Sequence, residues 1–116
     1  LPRNSYHLFL WCIFQCMKRE EVEAAYKAQG LTTEYGYDVP GKVYEPHRHE
    51  RTVLFTLAGS IRVKIENEVW KELHPGSEFV IGNEALHEGI VGNEGWEYIA
   101  AWNPEEEAKF GKPNDI

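Results

Sequence analysis

The spacing of apolar residues changes along the chain near Leu31. Before this point, Val22 and Tyr26 stand four residues apart in a mostly polar segment that ends at Gly30, which predicts an amphipathic α-helix over residues 18–29. After it, apolar and polar residues alternate in short runs, which predicts β-strands. Pairs of turn-forming residues, such as Pro–Gly and Gly–Asn, separate these runs. The predicted strands cover residues 32–37, 43–49, 52–58, 60–66, 68–73, 77–81, 86–91 and 95–102.

Short strands at this spacing, with no second helix among them, predict an all-β fold, either an antiparallel sandwich or a barrel. The 116 residues suffice for one domain with its own hydrophobic core. We expect this domain to occupy residues 17–116. Its last segment, residues 103–116, is polar and contains Pro and Gly, so we expect a solvated strap or a frayed end there.

The first sixteen residues, LPRNSYHLFLWCIFQC, differ from the rest of the chain. Their apolar run, residues 8–14, is far shorter than the roughly 20 residues that span a bilayer. We expect residues 1–16 to be an extension, derived from cloning or from translation upstream of the native start. The alternative is a native apolar strand that pairs with a neighbouring subunit. Both cysteines, Cys12 and Cys16, lie here and are expected to be free thiols, so the domain does not depend on disulfides.

The charge balance bears on possible partners. Acidic side chains outnumber basic ones by 19 to 12, which gives a net charge of −7. Such a surface repels phosphate backbones and anionic membranes, so we expect neither nucleic acid nor a membrane as a partner. We expect a cytoplasmic protein that binds a small molecule. Sheet edges of a barrel need cover, so we also expect a homodimer.

Histidines supply the candidate chemistry. His47 and His49 stand two apart, and on a strand such residues point to the same face with Cα atoms about 6.5–7 Å apart. Two imidazoles can therefore converge on one ion, and a third ligand must come from elsewhere. His74 precedes a Pro–Gly turn, where a surface role is expected. His87 begins an apolar strand and is the better third ligand.

These residues lie in a pattern that resembles the two characteristic motifs of the cupins. In this sequence the pattern consists of Gly41, His47, His49, Gly59, Gly76 and His87. The resemblance covers about residues 39–102. It implies a double-stranded β-helix, or jelly-roll barrel, behind a short N-terminal α-helix. It also implies that His47, His49 and His87 bind a divalent transition metal, whether Fe, Zn, Ni, Mn or Cu.

The sequence departs from the cupin pattern at several positions. Cupins usually supply a glutamate ligand seven residues before the glycine that ends the first motif, and Thr52 stands there. Glu50 is close, but it would face away from the site on a regular strand. In the second motif, Gly82, Glu84 and Val91 replace the residues expected. The result is a three-histidine site without a carboxylate, as in some cupin dioxygenases, and the alternative is a pocket without metal.

Three functions remain open at this point. The first is a metal-dependent enzyme, an oxygenase acting on a small molecule. The second is a non-catalytic module that binds or senses a small ligand. The third is a metal-dependent isomerase or lyase, in which Glu50, Glu84 or Tyr44 serves as the acid or base. Fold alone does not decide among them.

Overall fold

The computed structural model describes residues 18–110, which form a β-barrel with one helix at each end of the chain. Its helices are α1 (Arg19–Ala28) and α2 (Pro104–Phe110), and its strands are β1 (Thr32–Asp38), β2 (Val43–His47), β3 (Thr52–Ile65), β4 (Lys71–Leu73), β5 (Glu78–Ile81) and β6 (His87–Trp102). The prediction of an all-β fold with a short N-terminal helix is confirmed. The expectations for residues 1–16, including Cys12 and Cys16, and for residues 111–116 lie outside the described residues.

All strand pairs are antiparallel, and two long strands organise the sheet. The strand order is β1–β6–β3–β4, while β2 also pairs with β6 and β5 also pairs with β3. The first half of β3 pairs with β5 and its second half with β4. Likewise, the first half of β6 pairs with β2 and its second half with β1. The two long strands therefore run from one side of the barrel to the other.

Each long strand was wrongly predicted as two. The predicted strands 52–58 and 60–66 correspond to the single strand Thr52–Ile65, and those at 86–91 and 95–102 to the single strand His87–Trp102. The separating residues are not hairpin turns, because the β3–β6 pairing continues past them with register shifts. Gly59 and Gly95 both have positive φ, and a Cβ at Gly59 would meet the carbonyl oxygen of Gly95 at 2.0 Å. These glycines therefore permit a bulge and a close approach inside continuous strands.

Two apolar clusters stabilise the barrel. The inner one fills the barrel around Trp96, which is 0 % exposed and stacks on Tyr98. The outer one lies between the sheet and α1, where Val22 and Tyr26 pack against residues of β3 and β6. Helix α1 therefore covers one outer face of the sheet. No helix within residues 18–110 is long and apolar enough to cross a membrane.

The described part of the C-terminal segment, residues 103–110, contains a helix. Residues expected to form a strap or frayed end begin with helix α2. The side-chain oxygen of Asn103 accepts a hydrogen bond of 2.8 Å from the N–H of Glu105, and Pro104 begins the helix. Glu107 accepts a hydrogen bond of 2.6 Å from the indole N–H of Trp102. The cap and this contact explain the helix.

Candidate metal centre

The structure brings the three predicted histidines together at one end of the barrel. His47 ends β2 and His87 begins β6, and the two are direct partners in the β2–β6 ladder. His49 lies two residues beyond the end of β2, because the strand is shorter than the predicted 43–49. Its ring still reaches the others. The ring centroids are 5.3 Å apart for His47–His49, 4.2 Å for His47–His87 and 4.6 Å for His49–His87.

Backbone carbonyls fix the protonation of all three rings. Each Nδ1 lies at hydrogen-bond distance from a carbonyl oxygen, and a carbonyl can only accept, so each Nδ1 carries the proton. The acceptors for His47, His49 and His87 are the carbonyls of Glu45, Glu50 and Ala85, at 2.7, 2.6 and 2.8 Å. A neutral imidazole protonated at Nδ1 has its lone pair on Nε2. Nε2 is therefore the ring nitrogen through which each histidine would coordinate a metal.

The residues present fit a metal ion. One ring nitrogen from each histidine lies within 4.8 Å of the other two. Metal–nitrogen bonds of about 2.1 Å keep ligand nitrogens within about 4.2 Å, so small ring rotations bring the three onto one ion. Within residues 18–110, the Nε2 of His47 is buried and has no hydrogen-bond partner. A buried polar atom without a partner is costly, and a metal ion would satisfy it.

Within the described residues, the cluster contains no carboxylate. Thr52 is 1 % exposed, and its hydroxyl lies 3.4 Å from Nδ1 of His49 and donates to the carbonyl of Glu50 at 3.1 Å. The position at which cupins place a glutamate thus adjoins the histidines in this protein. Glu50 acts on His49 through its backbone carbonyl.

Tyr44 borders the site but directs its hydroxyl elsewhere. Its ring centroid is 6.4 Å from that of His47, and its O–H donates to the Asp38 carboxylate. Burial, reinforced by this hydrogen bond, raises the pKa of Tyr44 well above its ordinary value. Tyr44 therefore stays a neutral phenol. A cavity of about 10 Å³ lies between Tyr44 and His87, with apolar side chains around it, which is room for about one water.

Of the other residues considered, His74 lies on the surface, where its ring is 3.4 Å from the Glu72 carboxylate. Glu84 takes part through its backbone, since its N–H donates to the carbonyl of His49 at 2.8 Å. Arg48 was not among the predicted site residues, and its guanidinium donates to the Glu84 carbonyl at 2.8 Å. Nothing in the histidine spacing singles out this residue, because its partner is 36 residues away.

No family model and no curated protein matches the sequence. Solved structures do match the fold. The DMSP lyase DddQ from Ruegeria pomeroyi DSS-3 has a TM-score of 0.59 at 21% identity, over 64% of this chain and 38% of that one. KdgF from Halomonas sp. has a TM-score of 0.59 at 23% identity, over 70% and 76%. A cupin-like protein from Thermotoga maritima has a TM-score of 0.58 at 14% identity, over 64% and 57%.

The chain spans less than half the length of the DMSP lyase structure that it matches. At these identities the similarity concerns the fold and not the activity. The long strands β3 and β6, the N-terminal helix and the histidine cluster agree with the fold that the two sequence motifs predicted. The protein therefore has the cupin double-stranded β-helix fold, with His47, His49 and His87 clustered at one end of its barrel.

Proposed function

We propose that this protein is a metal-binding cupin in which His47, His49 and His87 hold one divalent transition ion. The observation that carries the proposal is the convergence of the three rings, in which one ring nitrogen of each histidine lies within 4.8 Å of the other two. In each ring Nδ1 lies at hydrogen-bond distance from a backbone carbonyl oxygen, which places the lone pair on Nε2. Outer hydrogen bonds of this kind orient histidine ligands and raise their basicity.

The donor set narrows the choice of ion. Three neutral imidazoles suit Fe, Zn, Ni, Cu or Mn, whereas Ca²⁺ and Mg²⁺ prefer oxygen ligands. When bound, such an ion would supply a Lewis-acidic centre with its full charge and open positions for an anionic ligand or dioxygen. The residues of this chain would fix the three nitrogens, and the apolar side chains around the small cavity beside His87 would limit the water on that side of the site.

The shape of the site limits what can reach it. The cavity beside His87 has a volume of about 10 Å³, which is room for about one water. His47 and His49 are partly exposed, whereas His87 is buried, so the more open end of the site is the one that carries His47 and His49. We propose that a small substrate enters from that end and contacts the site there.

We propose an oxygenase as the activity. Its support is the shortage of acid–base groups, since the cluster contains no carboxylate among residues 18–110 and the hydroxyl of Tyr44 donates to Asp38. A lyase or isomerase needs a group that moves a proton on the substrate. The second candidate is a metal-dependent lyase, favoured by the similarity in fold to a DMSP lyase. In that case the hydroxyl of Tyr44 would have to leave Asp38 and reach the substrate.

Oxygen dependence separates these candidates. The protein would be loaded with Fe²⁺ and incubated with small thiols, diketones and carboxylates, in air and under argon, while oxygen and substrate are followed. An oxygenase consumes both together, only in air, and loses this activity in His87→Ala but not in His74→Ala. Equal turnover under argon would identify a lyase. Saturable binding with no turnover would leave a ligand-binding module.

A further inference from the structure

The segment that precedes His87 is held in an unfavourable conformation. Glu84 has φ of 59°, and the N–H of Ala85 closes a turn onto the carbonyl of Gly82 at 3.2 Å. Glu66, on the neighbouring chain segment, has φ of 43°. Within residues 18–110, these are the only non-glycine residues with positive φ. Such a backbone is unfavourable for a residue other than glycine and persists only where its surroundings hold it.

This segment matters because it orients His87. The carbonyl of Ala85 accepts the Nδ1–H of His87 at 2.8 Å, and the carbonyl of Leu86 accepts the N–H of Glu66 at 2.8 Å. Ala85 and Leu86, which carry these carbonyls, are the two residues before His87 in the chain. If residues 84–86 turned, the acceptor for Nδ1–H would move, and the proton of the ring would no longer be fixed on that nitrogen.

Arg48 connects the two unusual residues. Its Nη1 donates to the carbonyl of Glu84 at 2.8 Å and lies 3.6 Å from the Glu66 carboxylate. The N–H of Glu84 donates in turn to the carbonyl of His49 at 2.8 Å. Both backbone polar groups of Glu84 are thus bound by the segment that carries His47 and His49. Arg48 extends this link to Glu66, on the other side of the residues that precede His87.

We propose that Arg48 is a positioning residue of the metal centre, which holds the turn at Glu84 so that Ala85 keeps His87 protonated at Nδ1. This proposal rests on the proposed metal-binding function. Arg48 itself does not coordinate the ion. Its side chain is 52 % exposed, as is that of Glu66, so the ion pair alone contributes little to stability. Its effect is therefore expected on the geometry of the site.

The first test uses metal-free protein at pH 8.5. Long-range ¹H–¹⁵N NMR reports which ring nitrogen carries the proton. We expect one Nδ1–H form for His87 in the wild type and a mixture of both tautomers in Arg48→Ala. Arg51→Ala is the matched control, because Arg51 is an exposed arginine of the same segment. Arg48→Lys restores a donor at this position and should recover part of the Nδ1–H form.

The second test measures Zn²⁺ affinity by competition with a chromophoric chelator. Loss of a partner that orients a ligand lowers metal affinity by about 10–100-fold. We expect about tenfold weaker binding in Arg48→Ala and no change in Arg51→Ala. The proposal is overturned if Arg48→Ala and Arg51→Ala show the same tautomers of His87 and the same affinity for Zn²⁺. If the wild type binds no Zn²⁺, the proposed function fails, and the tautomer comparison still decides the role of Arg48.

Discussion

Thr52→Glu tests whether the position of the missing carboxylate faces the metal centre. Thr52 is 1 % exposed and contacts His49, so a longer acidic side chain at this position would enter a buried region beside neutral imidazoles. Burial without a counter-charge raises the pKa of a carboxyl group, by up to 3–5 units when it is complete. In metal-free protein we therefore expect Thr52→Glu to be destabilising.

The size of this electrostatic effect has an upper limit. A glutamate in the unfolded chain has a pKa of about 4.3, so keeping the carboxyl protonated at pH 7 costs about 4 kcal/mol at most. The unfolded state releases the proton more readily, so this loss of stability grows as pH rises from about 4.3 to 7, by about 1.4 kcal/mol per unit. Thr52→Gln introduces the same size without the charge and measures the steric cost alone. The difference between the two variants isolates the charge.

Metal binding should reverse the difference in stability between Thr52→Glu and Thr52→Gln. A divalent ion supplies the counter-charge, so saturating Mn²⁺ should raise the melting temperature of Thr52→Glu more than that of Thr52→Gln. Urea unfolding at pH 5, 6 and 7 gives the metal-free values, and thermal unfolding with and without Mn²⁺ gives the metal effect. If the two variants match in stability at every pH and respond equally to Mn²⁺, position 52 does not face the centre and the comparison with the cupin glutamate is wrong.

Three further predictions concern stability and assembly. Trp96→Ala should lower the free energy of unfolding by about 3–5 kcal/mol, because this indole is fully buried. Trp70→Ala, at a position that is 40 % exposed, should lower it by less than about 1 kcal/mol. Equal losses of the two variants in urea unfolding would contradict the assignment of Trp96 to the core. Burial raises the pKa of Tyr26 and Tyr44 in the folded protein. The free energy of unfolding should therefore fall as pH rises above about 10, where the unfolded chain releases these protons. A free energy of unfolding that does not change with pH in this range would refute the prediction. We expect a homodimer, since apolar side chains and sheet edges remain exposed, and a monomer mass by light scattering at tens of micromolar would exclude it.

Local sequence patterns predicted the parts of this fold that depend on local chemistry. The helix at Arg19–Ala28 followed from the spacing of its apolar residues. The helix at Pro104–Phe110 was missed because the polar composition of residues 103–116, with its Pro and Gly, indicated a strap or a frayed end, and the cap at Asn103 was not considered. The long strands were divided in error at Gly59 and near Gly95, because glycine marks both turns and bulges. Which one forms depends on a partner strand that local sequence does not reveal.

The metal centre likewise has features that local sequence predicts and features that depend on the folded chain. The spacing of His47 and His49 predicted that their rings converge, and the position of His87 at the start of an apolar strand favoured it over His74. The direct pairing of His47 with His87 is a property of the β2–β6 register, which no local pattern contains. The hydrogen bonds from Arg48 to Glu84 and from Nδ1 of each ring to a carbonyl also depend on the folded chain. Sequence thus named the candidate ligands but could not give their tautomers.

Metal content per chain tests the central claim most directly. Protein purified without a histidine tag would be incubated with Fe²⁺, Zn²⁺, Ni²⁺ or Mn²⁺, freed of loose ions and analysed for bound metal. We expect about one ion per chain for the wild type and for His74→Ala, since a three-histidine cluster provides one site. Single replacement of His47, His49 or His87 by alanine should remove most of it. A wild type that retains none of the four ions would contradict the metal centre and leave a metal-free binding pocket in its place.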